Sequence, residues 1–349
     1  MRALMHLLSF SILLQLVTSL QPTKKERRPY PRPSSTTLKP GSTGVPSIVP
    51  TAASGGGLEF YKEVHVGVLN VSGWDLYFDG LLRAGAVNFM LDGYMVRNNE
   101  ILKWLHRDWD KSRFMSLKKR VQAKGGKILA TLYDNLDHNY QYDIDRDIFL
   151  SNARKFLQAY PVDGFCLTYG GSSEEQVFYI RELITAFQEL GKISMTKYSH
   201  FTWNEALGIG IPRLTDVNLV ALEPNYGASD AERGLFITDA TAGKAIRDAT
   251  KAGVQREKLI LGIPLLAVAY DKSPDPTRYS RVITEFGADP QGDGTVYGPD
   301  GRLYYFYSLT RAIGKVRRPL IQFSMAQQRP LIADCHGGFI PVVIVLIGF

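Results

Sequence analysis

The sequence predicts an α/β protein whose parallel strands form an eight-stranded barrel, the (β/α)8 or TIM barrel class. Between residues 58 and 349, short runs rich in β-branched residues alternate with stretches whose apolar side chains recur at helical spacing. Eight such runs in about 290 residues fit a barrel of about 250 residues with added loops. The 45% hydrophobic content provides enough apolar side chains for one large core.

The strand candidates follow one another along the chain, with helices between most of them. We predict strands at 65–71, 86–90, 127–132, 162–167, 192–196, 217–222, 258–264 and 338–347. We predict helices at 113–124, 143–160, 174–190, 240–252 and 308–317. The apolar run 339–349 is too short to span a bilayer as a helix. It predicts an eighth buried strand, with an imperfect gene model as the alternative.

The positive charge of the chain belongs to its N-terminal segment. The sequence has 41 basic and 34 acidic residues, and seven of the basic but one of the acidic lie in residues 1–57. Residues 1–20 have the layout of a secretory signal peptide, and residues 21–57 that of a disordered basic linker. The linker is a solvated spacer, with a processing site or an electrostatic tether as alternatives. We therefore expect a secreted, extracellular domain at 58–349, nearly neutral, with no transmembrane span and no nucleic-acid partner.

The sequence lacks the motifs of nucleotide-binding sites and of common metal sites. No Gly-x-Gly-x-x-Gly follows the first predicted strand, and no Gly-x-x-x-x-Gly-Lys occurs, so the sequence does not favour nucleotide binding. The two cysteines, Cys166 and Cys335, cannot form a four-cysteine zinc site, and the six histidines show no metal-binding spacing. We expect no cofactor and no metal, and the sequence carries no signal for an oligomeric state.

Three segments carry a resemblance to a known family. They are VDGFCLTYGG (162–171), KLILGIPLLAVAY (258–270) and HGGFI (336–340). In this order they resemble the fourth, seventh and eighth strands of glycoside hydrolase family 18, the chitinase family. The resemblance implies a barrel and a chitinase-like protein whose partner is an N-acetylglucosamine oligosaccharide or glycan.

The catalytic signature of that family is degenerate in this chain. The family has Asp-Gly-x-Asp-x-Asp-x-Glu, and alignment on Asp163 places its remaining acidic positions on Cys166, Thr168 and Gly170. Strand alternation sends these three positions to one face, toward the barrel interior and mouth. In the family the glutamate protonates the leaving oxygen while the substrate's N-acetyl group attacks. The resemblance therefore implies no confirmed catalytic residue and the loss of a general acid that contributes about 10²–10⁴-fold.

Three hypotheses remain open. The first is a chitinase-like barrel that binds N-acetylglucosamine glycans without hydrolysing them. The second is an active glycosidase, of chitinase or endo-N-acetylglucosaminidase type, that uses displaced carboxylates. Asp92, Asp134 and Glu223, at predicted strand ends, are its candidates. The third is a structural or surface barrel without a glycan ligand.

Candidate sugar contacts lie at the predicted strand ends. Sugar rings present apolar faces that stack on aromatic side chains. The candidates for such contacts are Trp74, Tyr169, Trp203 and Tyr226, with Asn225 beside the last of them. No tryptophan follows Trp203, so the tryptophan that the family has on its eighth strand is missing, which favours the third hypothesis.

Overall fold

The computed structural model describes residues 61–64, 73–83, 85–103, 110–133, 144–171, 173–225, 229–271, 276–312 and 343–348. The predicted signal peptide, the predicted linker and the first predicted strand, 65–71, lie outside the described residues. Asp134, Tyr226 and Cys335 also lie outside them.

Strands and helices alternate along the described chain. The strands are β1 (Tyr61–Val64), β2 (Asn88–Arg97), β3 (Glu100–Lys103), β4 (Ile128–Tyr133), β5 (Gly164–Thr168), β6 (Ile193–Ser199), β7 (Val217–Ala221), β8 (Leu259–Ala269), β9 (Thr277–Arg278), β10 (Thr295–Tyr297), β11 (Leu303–Phe306) and β12 (Val343–Gly348). The helices are α1 (Trp74–Arg83), α2 (Lys111–Gln122), α3 (Arg146–Ala159), α4 (Glu174–Glu189), α5 (Trp203–Ile209), α6 (Ile211–Leu214), α7 (Asp230–Arg233), α8 (Asp239–Lys251) and α9 (Tyr279–Thr284).

Eight of the strands are each paired in parallel with two neighbours. The pairings run β1, β2, β4, β5, β6, β7, β8 and β12, and β12 pairs with β1 in turn. Parallel strands in sequential order with helices between them are the arrangement of a (β/α)8 barrel. The predicted fold class is confirmed.

The largest differences from the predicted strand bounds are in the first two strands. The structure has a strand at β1, just before the predicted 65–71, and β2 continues to Arg97 instead of ending at residue 90. The last apolar run does form the eighth parallel strand, because β12 pairs with both β1 and β8. Of the predicted helix 308–317, residues 309–312 are helical and the remainder after 312 lies outside the described residues.

Antiparallel strands extend the sheet at two points that the sequence prediction missed. A turn at Asn98 and Asn99, both with positive φ, returns the chain from β2 into β3. Beyond the barrel, β8 continues and pairs with β9 and with β11, and β11 pairs with β10.

The core consists of two layers separated by the barrel wall. The outer layer lies between strands and helices and holds most of the buried side chains. The inner layer fills the barrel with one or two residues from each contributing strand, as alternation requires: Tyr61, Met90, Leu129, Cys166, Met195, Leu219, Ala221 and Ile260.

Candidate functional site at the barrel mouth

Strand β5 carries the positions that align with the chitinase signature. Cys166 lies in the apolar interior with Leu129 and Met195, and it is buried as a free cysteine. Burial raises the pKa of its thiol well above the usual range. A thiol that stays protonated is a poor nucleophile, so Cys166 serves as a core side chain.

The next two positions lead from the interior toward the mouth. Thr168 ends β5 and is paired in register with Lys197 of β6. Gly170 follows the strand, and a Cβ added there would meet no other atom within 4 Å. Residue 170 therefore has room for a larger side chain, but the glycine present there can donate no proton.

Asp163 lies at the opposite end of the barrel, just before β5 begins. Its Oδ2 is 2.5 Å from Lys118 Nζ and accepts the backbone N–H of Ile128 at 2.7 Å. These contacts join α2 to the start of β4. Asp163 is therefore a structural residue, remote from the end at which substrates bind in this fold.

A buried ion pair occupies the barrel interior above the apolar layer. Lys197 Nζ lies 3.2 Å from Glu63 Oε1 and 3.1 Å from Glu63 Oε2. The side chain of Glu63 is 1% exposed and that of Lys197 is 14% exposed. This pair was not predicted from the sequence, because Glu63 comes before the predicted first strand and Lys197 lies just past the end of a predicted strand.

Glu223 adds a second carboxylate to this region. It follows β7, and burial raises its pKa, although the positive charge of Lys197 opposes the rise. Burial alone would lower the pKa of Lys197, but the charges of Glu63 and Glu223 outweigh burial and raise it. Lys197 is therefore a stable cation that acts electrostatically on both carboxylates.

Asp92 points into the barrel interior, two residues after the inward-facing Met90 of β2. The pairing of β2 with β4 shifts register between Leu91 and Tyr94, and Gly93 has a φ of 91°. This bulge re-aims Tyr94, which packs in the outer layer instead of following Asp92 inward. The buried carboxylate of Asp92 accepts a hydrogen bond from Tyr133 Oη at 3.3 Å. Asp92 therefore lies within a strand, and its predicted position at a strand end was wrong.

A cavity of about 240 Å³ lies beside the ends of β6 and β7. It brings together two of the predicted sugar-contact residues, Trp203 and Asn225. The other lining residues are His200, Phe201, Glu232, Leu235, Phe236, Thr241, Lys244, Ala245 and Asp248. Its walls therefore combine aromatic and apolar side chains with charged and amide groups, a mixture that is typical of ligand pockets.

His200 in this cavity gives a prediction on pH dependence. Burial lowers its pKa to about 4, although a hydrogen bond to the Ala221 backbone opposes the shift. In an unfolded chain histidine has a pKa of about 6.5. A lowered pKa means that the stabilising contribution is present above about pH 6.5 and is lost as pH falls toward 4. We expect the free energy of unfolding to fall over this range by up to about 3 kcal/mol from His200 alone.

Urea unfolding of the native chain and of His200→Gln, measured at several pH values, tests this expectation. Other acidic groups titrate identically in both proteins, so the difference between the two curves isolates His200. If the unfolding free energies of the two proteins changed in parallel from pH 7 to pH 4, the lowered pKa of His200 would be contradicted.

The comparisons with known proteins identify the fold. No family model matches the sequence, and no curated protein matches it. The structure is similar to a chitinase from Bacteroides thetaiotaomicron, with a TM-score of 0.61, 13% identity, and coverage of 82% of this chain and 89% of that one. It is similar to a GH18 chitinase from Flavobacterium johnsoniae, with a TM-score of 0.51, 14% identity, and 83% and 87% coverage. A spore cortex-lytic enzyme from Bacillus megaterium matches with a TM-score of 0.56, 10% identity, and 86% and 72% coverage.

The chain has the glycoside hydrolase family 18 fold. The resemblance drawn from the motifs is thereby confirmed at the level of the fold. At 10–14% identity these matches do not carry the activity of those enzymes to this chain.

On the family 18 fold, three of the predicted sugar contacts are packed into the core. Trp74, Tyr169 and Trp203 are each no more than 4% exposed. Trp203 donates its Nε1–H to the Ala245 carbonyl at 3.0 Å, and Arg113 lies over the Trp74 ring. None of the three offers an open ring face, so a sugar could stack on them only after neighbouring side chains moved. Their roles stay predictions.

The described part of the chain shows neither a metal-binding cluster nor a membrane-spanning helix. Within it, no group of three or more His, Cys, Asp or Glu side chains is placed to hold a metal ion. Among the helices described above, none is long and apolar enough to cross a membrane.

Proposed function

We propose that this chain is a secreted, chitinase-like protein that binds N-acetylglucosamine-containing glycans and does not hydrolyse them by the family mechanism. The fold and the chitinases that share it support the glycan class. The layout of residues 1–20 supports secretion. N-terminal sequencing of protein recovered from the culture medium tests cleavage near residue 20.

One observation carries the proposed lack of hydrolysis. Lys197 lies beside Thr168, the position where the family resemblance expects an aspartate. In substrate-assisted hydrolysis a positive charge develops on the ring that forms from the N-acetyl group, and a neighbouring anion stabilises it. Here residue 168 is an uncharged threonine beside a lysine whose charge is already paired with Glu63, and Gly170 supplies no acid. Both changes act on the same reacting centre.

A second candidate function is hydrolysis through a displaced acid. The raised pKa of Glu223 favours it, because burial makes this carboxyl a better match for general-acid catalysis than an ordinary surface glutamate. Glu223 also follows a barrel strand at the end where this fold places its active sites.

One experiment separates the two functions. We expect the native chain to bind the N-acetylglucosamine hexamer in calorimetry and to release no shorter product during prolonged incubation. Thr168→Asp/Gly170→Glu should bind and remain inactive, because Lys197 stays beside residue 168. A native chain that binds no oligomer would contradict the proposed glycan binding and leave a structural barrel.

Glu223→Gln tests the displaced acid. Hydrolysis by the native chain that is lost in Glu223→Gln would establish the second candidate and overturn the first. Glu175→Gln is the matched control, because Glu175 lies in the first turn of α4, away from the barrel interior.

A further inference from the structure

The cavity beside the ends of β6 and β7 lies outside the barrel wall. One of its lining residues is Trp203, whose ring centroid lies 5.0 Å from that of Tyr198 on β6. Tyr198 belongs to the outer layer between strands and helices, whereas Lys197, the residue before it, contacts Glu63 inside the barrel. Successive side chains of a strand point to opposite faces. The cavity and the charged barrel interior are therefore on opposite sides of β6.

Helices α5 and α8 form the buried side of this cavity and are fixed to each other. Trp203 of α5 donates its Nε1–H to the carbonyl of Ala245 on α8 at 3.0 Å. The amide of Asn204 lies 2.9 Å from Asp248 Oδ2 and 2.9 Å from Lys244 Nζ, in the orientation that forms both hydrogen bonds. The space between the helices is therefore preformed, as is usual for small-molecule sites.

Two half-exposed apolar side chains border the cavity. Phe201 and Leu235 are each 49% exposed, whereas the lining residues Trp203 and Phe236 are at most 2% exposed. Large apolar side chains that stay in contact with solvent around a concave site are typical of ligand binding. An aromatic and an aliphatic side chain together suit the apolar face of a ring.

The charged groups of the cavity sum to one negative charge. Lys244 Nζ lies 2.6 Å from Asp248 Oδ2, so these two charges offset each other. Burial lowers the pKa of His200 to about 4, so its imidazole is neutral at pH 7. Glu232 Oε2 accepts the Ser229 hydroxyl at 2.9 Å, and no described residue donates to the other oxygen of this carboxylate. The cavity therefore disfavours phosphate, sulfate and other anionic ligands and offers an acceptor to hydroxyl groups.

We propose that this cavity binds one sugar ring of a neutral glycan, as a second site that is separate from the barrel mouth. The ring presents an apolar face to Phe201 and Leu235 and a hydroxyl group to Glu232. The volume of about 240 Å³ is below the range of about 300–1,000 Å³ for drug-sized ligands, which suits a single ring. The inference rests on the proposed function, because the ring belongs to the same N-acetylglucosamine-containing glycan. It adds that one chain of this protein holds the glycan at two places.

Calorimetry with the N-acetylglucosamine trimer counts the sites. We expect the native chain to bind two trimers. Phe201→Ala/Glu232→Gln should weaken the cavity site by about tenfold or more and leave the other site unchanged, because it removes the ring and the carboxylate. Both residues are exposed and glutamine retains the helix cap, so the fold should be kept. Phe178→Ala, which removes an exposed ring from α4, is the matched control and should keep both sites.

Gly170→Trp tests the separation of the two sites. A Cβ at residue 170 meets no atom within 4 Å, so the indole should block the barrel mouth and leave the cavity free. This variant should bind one trimer, with the affinity of the cavity site in the native chain. A native chain that binds one trimer, lost in Gly170→Trp and unchanged in Phe201→Ala/Glu232→Gln, would overturn the cavity site and leave the proposed function intact. A native chain that binds no trimer would overturn both.

Discussion

Lys197→Met should lower the free energy of unfolding by about 3–5 kcal/mol, because it leaves the buried Glu63 carboxylate without its partner. Glu63→Gln should have an effect of the same sign, since the ammonium group of Lys197 then loses the negative charge that lies within 3.2 Å of it. Urea or guanidinium unfolding at neutral pH measures both changes.

The double variant Glu63→Leu/Lys197→Met distinguishes two contributions to the free energy of unfolding. One is the loss of stability caused by a single unpaired charge, and the other is the stability that the intact pair contributes. Replacement of both charges by apolar side chains is often neutral or stabilising, so we expect the double variant to be much more stable than either single one. Lys244→Met is the matched control, because the exposed Lys244–Asp248 pair should contribute less than about 1 kcal/mol. Equal costs for Lys197→Met and Lys244→Met would contradict the buried role of Lys197.

Asp163→Ala is expected to cost about 3 kcal/mol of unfolding free energy. The substitution leaves Lys118, which is 4% exposed, without its carboxylate and removes the acceptor of the Ile128 N–H. We place the cost at the lower end of the range for broken buried pairs because Asp163 itself is 32% exposed. Thermal or urea unfolding measures the change.

Glycan binding by Asp163→Ala is the control for its expected loss of stability. Because Asp163 lies at the end of the barrel away from the mouth, Asp163→Ala should leave hexamer affinity unchanged below its unfolding temperature. Lys118→Met should match it in stability, since it breaks the same contact. A variant of normal stability that loses hexamer binding would instead assign Asp163 to the ligand site.

The fold could be predicted because its information is local. Helices α2, α3, α4 and α8 and most strands carry their own hydrophobic periodicity. Helix starts carry local caps such as Ser173, whose side chain accepts the Gln176 N–H. The inward orientation of Cys166 follows from the alternation along one strand. Such patterns need no knowledge of distant segments.

The charged interior could not be predicted in the same way. Glu63 and Lys197 are 134 residues apart, and each is an ordinary charged residue within its own segment. The charged residues of YKEV interrupt the apolar pattern that the predicted strands share, and only the barrel shows that Glu63 faces a lysine on another strand. Asp92 was misplaced because β2 continues to Arg97 instead of ending at residue 90.

The sequence did contain turn signals for the antiparallel strands. The two adjacent asparagines between β2 and β3 are typical of a hairpin turn with positive φ at both residues. Pro-Asp-Gly at 299–301 lies between β10 and β11 and is a strong turn sequence. These turns would have predicted both hairpins.

Strand β8 is part of both the parallel barrel and the antiparallel extension. Through residues 259–265 it is a parallel barrel strand, and through residues 266–269 it pairs antiparallel with β9 and β11. No linker separates the barrel wall from the extension, so the extension is held at a constant orientation to the barrel mouth. A ligand that contacted both would meet a preorganised surface, without the entropy loss of ordering a hinged module.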